Sequence, residues 1–170
     1  MGPAAKSALP GLLELLNTPN APAPRGMPIH LYASRVNQLI AAISQIGPEP
    51  ASFVPTLVKI LKNPGLAPSR KLPQPFEQNW SRVAIASLTA LAKLGPEARP
   101  AIEVLTYYLA PDTRRKIAVP DGFLTLDITV LGAIGPDAAP ALPAIRKFRE
   151  ETGEAFASVI EKAIDNIKAK

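Results

Sequence analysis

The sequence predicts an all-α fold, a right-handed α-solenoid of stacked helical hairpins, and three observations carry that prediction. The dipeptide Gly-Pro recurs at Gly2, Gly47, Gly95 and Gly135. Apolar residues at helical spacing follow each of these glycines and precede the last three. The glycines stand 45, 48 and 40 residues apart, a period that accommodates one pair of helices per unit and marks an array of repeats.

The segments before the last three glycines align without gaps as RVNQLIAAISQIG, RVAIASLTALAKLG and FLTLDITVLGAIG. One residue before glycine stands Ile46, Leu94 or Ile134; four before, Ile43, Leu91 or Leu131; seven before, Ile40, Leu88 or Ile128. That spacing puts the three on one face of a first helix, and small residues such as Ala42, Ala90 and Ala92 let a neighbouring helix approach. The segments after glycine define a second helix. Seven residues on come Leu9, Val54, Ile102 and Leu142; ten on, Leu12, Leu57, Leu105 and Ile145; thirteen on, Leu15, Ile60, Tyr108 and Phe148, a buried stripe.

Glycine at the end of the first helix can adopt a left-handed cap, and the proline after it cannot continue that helix. Pro10, Pro55 and Pro143 are expected to start the second helix, because a missing N–H costs nothing in the first turn. Glu49, Glu97 and Asp137 lie near its positive end. The units are a half repeat at 1–16, repeats at about 35–62, 80–110 and 122–150, and a helix at 154–170 with a polar outer side that caps the array. The first unit has no first helix, so either it is an unusual cap or the chain belongs to a longer array. Segments 17–34, 63–79 and 111–122 are rich in proline, read as long loops, and are expected along one edge.

An aliphatic residue, Gly-Pro, an acid, alanine, then proline and spaced aliphatics, as in ALAKLGPEARPAIEVL and VLGAIGPDAAPALPAIRKF, resembles the HEAT repeats of bacterial proteins of the phycobilisome-lyase type. The likeness runs from Gly2 to about Arg149, and the glycine spacing lies within or close to the period of about 40–47 residues of HEAT and armadillo repeats. It implies an armadillo-like helical scaffold. For the lyase members it also implies attachment of bilins to phycobiliproteins. The chain departs from the pattern at Glu103, where the other repeats carry proline, and at Pro50, where they carry alanine.

Composition narrows the chemistry. There is no cysteine and one histidine, which removes disulfides and thiolate metal sites. His30 is read as a loop residue without a neighbouring carboxylate, and Trp80 as an aromatic that staples the start of its helix. Asp127, eight before Gly135 where Leu39 and Ser87 stand in the other repeats, is expected as a solvated or hydrogen-bonded group at a helix edge. Ser34, Ser44, Ser81 and Ser87 lie in no glycine elbow, and the glycines are caps rather than a phosphate cradle. No catalytic residue, cofactor or metal ligand set is expected. No apolar run reaches the roughly 18–20 residues of a membrane span, and the N-terminal segment, with Glu14, is not a secretory leader. The expected location is cytoplasmic unless a leader has been removed.

Net charge is +5 and the pI about 9.6, which favours anionic partners. Arg70 and Lys71, and Arg114, Arg115 and Lys116, cluster in the loops, accompanied by Glu77, Asp112 and Asp121. Twelve residues after each glycine stand Glu14, Lys59, Tyr107 and Lys147, a row off the buried stripe and hence outward on successive second helices. The reading is a non-enzymatic scaffold that binds a protein partner through Lys59, Tyr107 and Lys147 and through the loop edge. The alternatives are nucleic-acid backbone binding by the basic loops and a bilin-lyase-like enzyme subunit.

Overall fold

In the computed structural model, residues 7–17, 29–47, 50–62, 74–116 and 119–169 are described, with side chains at 17, 29–30, 32–33, 50–51 and 74–81 outside the description. The described chain is all-helical and contains no strand. In order come α1 (Leu9–Asn17), α2 (Ile29–Ile46), α3 (Pro50–Leu61), α4 (Gln74–Leu94), a 3₁₀ corner (Gly95–Ala101), α5 (Ile102–Leu109), α6 (Pro111–Lys116), α7 (Asp121–Ile134), a second 3₁₀ corner (Gly135–Ala141), α8 (Leu142–Thr152), a third 3₁₀ turn (Gly153–Phe156) and α9 (Ala157–Lys168).

The helices form two rows. Helices α2, α4, α7 and α9 pack side by side in that order. In the other row α1 packs on α3, α3 on the first corner that leads into α5, and α5 on α8. The core lies between the rows. All of Ile40, Ile43, Leu88, Leu91, Ile128 and Leu131 are buried, as their spacing before glycine requires. Where α7 meets α9 the backbones come close: a Cβ on Gly132 would lie 2.9 Å from the Ala163 Cα.

The corners are alike in physical terms. Gly47, Gly95 and Gly135 have positive φ, 82°, 58° and 73°. The expected left-handed cap is only half realised, because Gly135 combines its φ with a ψ of −142°. That region is reserved for glycine even more strictly than the left-handed helical one, which asparagine tolerates. The following residues wind as 3₁₀ turns that bury Ala98 and Ala101, or Ala138 and Ala141, at the two corners. Pro143 falls in the first turn of α8, as expected, but Pro55 lies inside α3. Over Asp121–Lys168 the chain is apolar enough, by length and composition, for a membrane span, but the turns at Gly135 and Gly153 break it into α7, α8 and α9.

The segments read as loops are partly helical. α2 begins at Ile29 and α4 at Gln74, so His30 is in the first turn of one and Trp80 well inside the other. Their side chains fall outside the description. α6 occupies the third segment, with Pro111 at its start, Asp112 in its first turn and Arg114, Arg115 and Lys116 in its last, an arrangement that matches the helix dipole at both ends.

The stripe of the second helices also needs one correction. Leu15 is 46% exposed and Leu16 is buried instead. At the same offset, Tyr108 and Phe148 pack backward, onto Leu61 and Arg114 of the preceding unit.

Candidate interaction surface

Of the predicted outward row, Glu14, Lys59, Tyr107 and Lys147 are all exposed, on α1, α3, α5 and α8. Tyr107 is the aromatic member of the row, with 53% of its surface in solvent. It is held from beneath. Its ring meets the edge of Tyr108 with centroids 5.4 Å apart, and Tyr108 in turn stacks edge-on against Phe123 of α7 at 4.8 Å. The Tyr108 hydroxyl donates to the Leu61 carbonyl at 2.6 Å, a last-turn acceptor of α3 that has no partner within its own helix. Burial, then the neighbouring Tyr107 and Asp127, push the Tyr108 hydroxyl well above the usual phenol range, so it stays a donor.

The cations around this row divide into two sets. Lys62 donates to Glu103 at 2.6 Å, Arg149 to Glu161 at 2.7 Å, and Arg99 lies 4.0 Å from Asp137. Glu103, the departure from proline, thus ties α5 to α3, and the hydrogen bond from Lys62 and its charge hold the carboxyl below its ordinary range. Arg114 pairs with Glu151, donates through Nε to the Leu109 carbonyl at 3.2 Å, and lays its guanidinium 4.7 Å over the Phe148 ring. By contrast, Lys59 and Lys147 have no carboxylate within ion-pair distance among the described residues.

The basic-loop set predicted from sequence is therefore split. Arg114 is a structural clamp, 20% exposed at its side chain. Arg115 is 80% exposed, 3.7 Å from Asp112, and Lys116 faces solvent. Arg70 and Lys71 lie outside the described residues. Sequence reasoning missed the Arg114 clamp because its partners, Phe148 and Glu151, are remote in the chain. It also missed the Lys62–Glu103 tie, for which the loss of proline at 103 was the available signal.

Asp127 is not at a helix edge. It is fully buried in α7 and neither carboxylate oxygen has a hydrogen-bond partner among the described residues. Burial pushes its carboxyl well above the ordinary range, toward the neutral acid. Ser87, at the matching place in α4, is also buried but donates to the Val83 carbonyl at 2.9 Å. Two grooves lie elsewhere. One of about 460 Å³ runs between α7 and α9 and is lined by Thr125, Thr129, Ser158, Lys162 and Asn166. The other, about 420 Å³, lies at the proline-rich corners beside Arg99 and Asp137. Neither reaches Asp127. Among the described residues no three His, Cys, Asp or Glu side chains gather as a metal site.

The chain's fold class is thus all-helical and repeat-like. Comparison with protein-family models, curated proteins and solved structures finds no match to it.

Proposed function

We propose that this chain is a HEAT-type, right-handed α-solenoid that acts as a non-enzymatic, cytoplasmic scaffold, holding a protein partner against the outer face of α1, α3, α5 and α8 as its concave surface. The observation that carries this reading is Tyr107. A half-exposed aromatic, braced by a buried tyrosine and flanked on adjacent helices by lysines with no ion-pair partner among the described residues, is the composition of an interface anchor. In this reading the exposed Arg115 and Lys116 are a second contact for the partner.

A photo-crosslinking amino acid at position 107, with the same label at Thr89 on the outer side of α4 as control, tests the reading in cell extract. Capture of a protein from position 107 and not from 89 is expected; equal or absent capture from both ends it.

The second reading, nucleic-acid binding, draws on the exposed Arg115 and Lys116. It is weakened by the pairing of Arg114 with Glu151 and by the closeness of Asp112 to Arg115. Duplex DNA and RNA are expected to bind at roughly 10⁻⁴ M or weaker near physiological salt, as generic basic surfaces do. Sub-micromolar binding that is lost when Arg115 and Lys116 become Ala would favour it over the scaffold.

A further inference from the structure

We infer that the Lys59–Tyr107–Lys147 row receives an acidic peptide segment in an extended, polyproline-like conformation, with an aromatic or large apolar residue on Tyr107 and a carboxylate on each lysine. The inference rests on the scaffold reading and specifies its partner.

Spacing supports the conformation. Tyr108 reaches the Leu61 carbonyl and Glu103 pairs with Lys62 between α3 and α5, and α5 packs on α8; helices so joined lie about 8–10 Å apart, so the three side chains, at one register on successive helices, repeat at about that interval. A polyproline II chain has three residues per turn and rises about 3.1 Å per residue, so its residues i, i+3 and i+6 share a face at intervals of about 9 Å. A β-strand would point i and i+3 to opposite sides. The motif is therefore Glu-x-x-Phe-x-x-Glu, with Asp or another aromatic allowed at the matching places.

Charge supports the chemistry. In this row of helices and corners Lys62, Arg99 and Arg149 each have a carboxylate within ion-pair distance, while Lys59 and Lys147 have none among the described residues. Arg146, exposed beside Lys147, adds positive charge at that end. A continuous phosphate backbone fits this row less well than separate carboxylates do. Glu103, 82% exposed at its side chain, lies one turn from Tyr107, where the peptide places an apolar residue and a nucleic-acid strand would place a phosphate for it to repel. An aromatic side chain against Tyr107 supplies the desolvated centre that charge alone lacks.

The test uses the whole chain and a fluorescein-labelled peptide of the motif, with Ser and Pro at the x positions, followed by fluorescence anisotropy at physiological and raised salt. The peptide is expected to bind. Tyr107→Ala should weaken it about tenfold or more, and the double variant Lys59→Glu with Lys147→Glu by a similar factor. The reciprocal peptide, Lys-x-x-Phe-x-x-Lys, should ignore the natural chain and bind the double variant, a rescue that unfolding cannot mimic. Circular dichroism of each variant should be unchanged. Peptide binding insensitive to both variants, or absence of the rescue, overturns the inference. So does duplex RNA or DNA bound through these lysines, or self-association of the chain abolished by the double variant. Failure of this peptide with a protein still crosslinked at position 107 removes the inference and leaves the scaffold reading intact.

Discussion

The two rows of helices solve different problems with the same repeat. The row of α2, α4, α7 and α9 packs through small residues, with Ala90 buried and Gly132 against Ala163. Its exposed described positions on α4 and α7 mix Thr89, Thr125, Thr129 and Gly122 with Ile85 and the charged Arg82, Lys93 and Asp121, and among the described residues no ion pair joins one of its helices to another. The row of α1, α3, α5 and α8 instead joins its units by side chains: Tyr108 to Leu61, Lys62 to Glu103, and Arg114 over Phe148. Close backbone approach leaves no room for variation and makes a spine. Side-chain bridges leave gaps between them, and it is in those gaps that Lys59, Tyr107 and Lys147 reach solvent.

If that contrast is right, the spine is the less tolerant row. Gly132→Val should be the most damaging substitution, costing about 3 kcal/mol, because the contact is with the Ala163 backbone rather than a movable side chain. A denaturant midpoint close to that of the natural chain, at equal slope, would show that α9 shifts freely. The corner that joins the rows comes next. Gly95→Val should cost about 1–3 kcal/mol from its positive φ alone, since an added Cβ meets nothing closer than the Ala133 carbonyl oxygen at 3.5 Å. Gly95→Ala, free of branching, should retain most of that loss if φ is its source.

In the bridged row, Tyr108→Phe should cost about 1–2 kcal/mol by leaving the Leu61 carbonyl without its donor while keeping the ring contacts with Tyr107 and Phe123. The comparison would fail if this hydroxyl proved as costly to lose as the Gly132 contact.

The last effect is one of pH, and it belongs to the spine. The Asp127 pKa in the fold lies above the roughly 3.9 of an unfolded aspartate. The protonated acid is favoured by the fold, so its contribution is fully present below about pH 4 and declines as pH rises toward the folded pKa. Ionised Asp127 would in turn help to raise the Tyr108 hydroxyl of α5. Asp127→Asn, which keeps the shape and cannot ionise, should remove this part of the pH dependence. Urea midpoints from pH 4 to 8 that fall in parallel for both chains would assign the slope to other groups.

Helix pairing, the corner glycines and the buried faces were legible from sequence, because they depend on period and on backbone conformation, and both are local. The outward position of Tyr107 was legible for the same reason: a residue one place off a helical stripe points away from it. Helix starts were not, since proline is compatible both with a loop and with a first turn, and Pro111 and Pro75 stand in first turns.

What only the tertiary structure decided concerns partners distant in the chain. Leu15 sits at the same offset as Tyr108 and Phe148, yet it is 46% exposed while they are buried against Leu61 and Arg114, which belong to other helices. Arg114 and Arg115 are adjacent in sequence, yet one lies over Phe148 and the other in solvent, since α6 turns one of them toward α8. Asp127 looked polar enough for a surface; the packing of α7 against α4, α5 and α9 buries it. The sequence by itself determined the repeat, because each helix carries its own periodicity and each corner its own glycine. Packing between repeats decided which side chains brace neighbours and which are left for a partner, because those contacts join residues tens of positions apart.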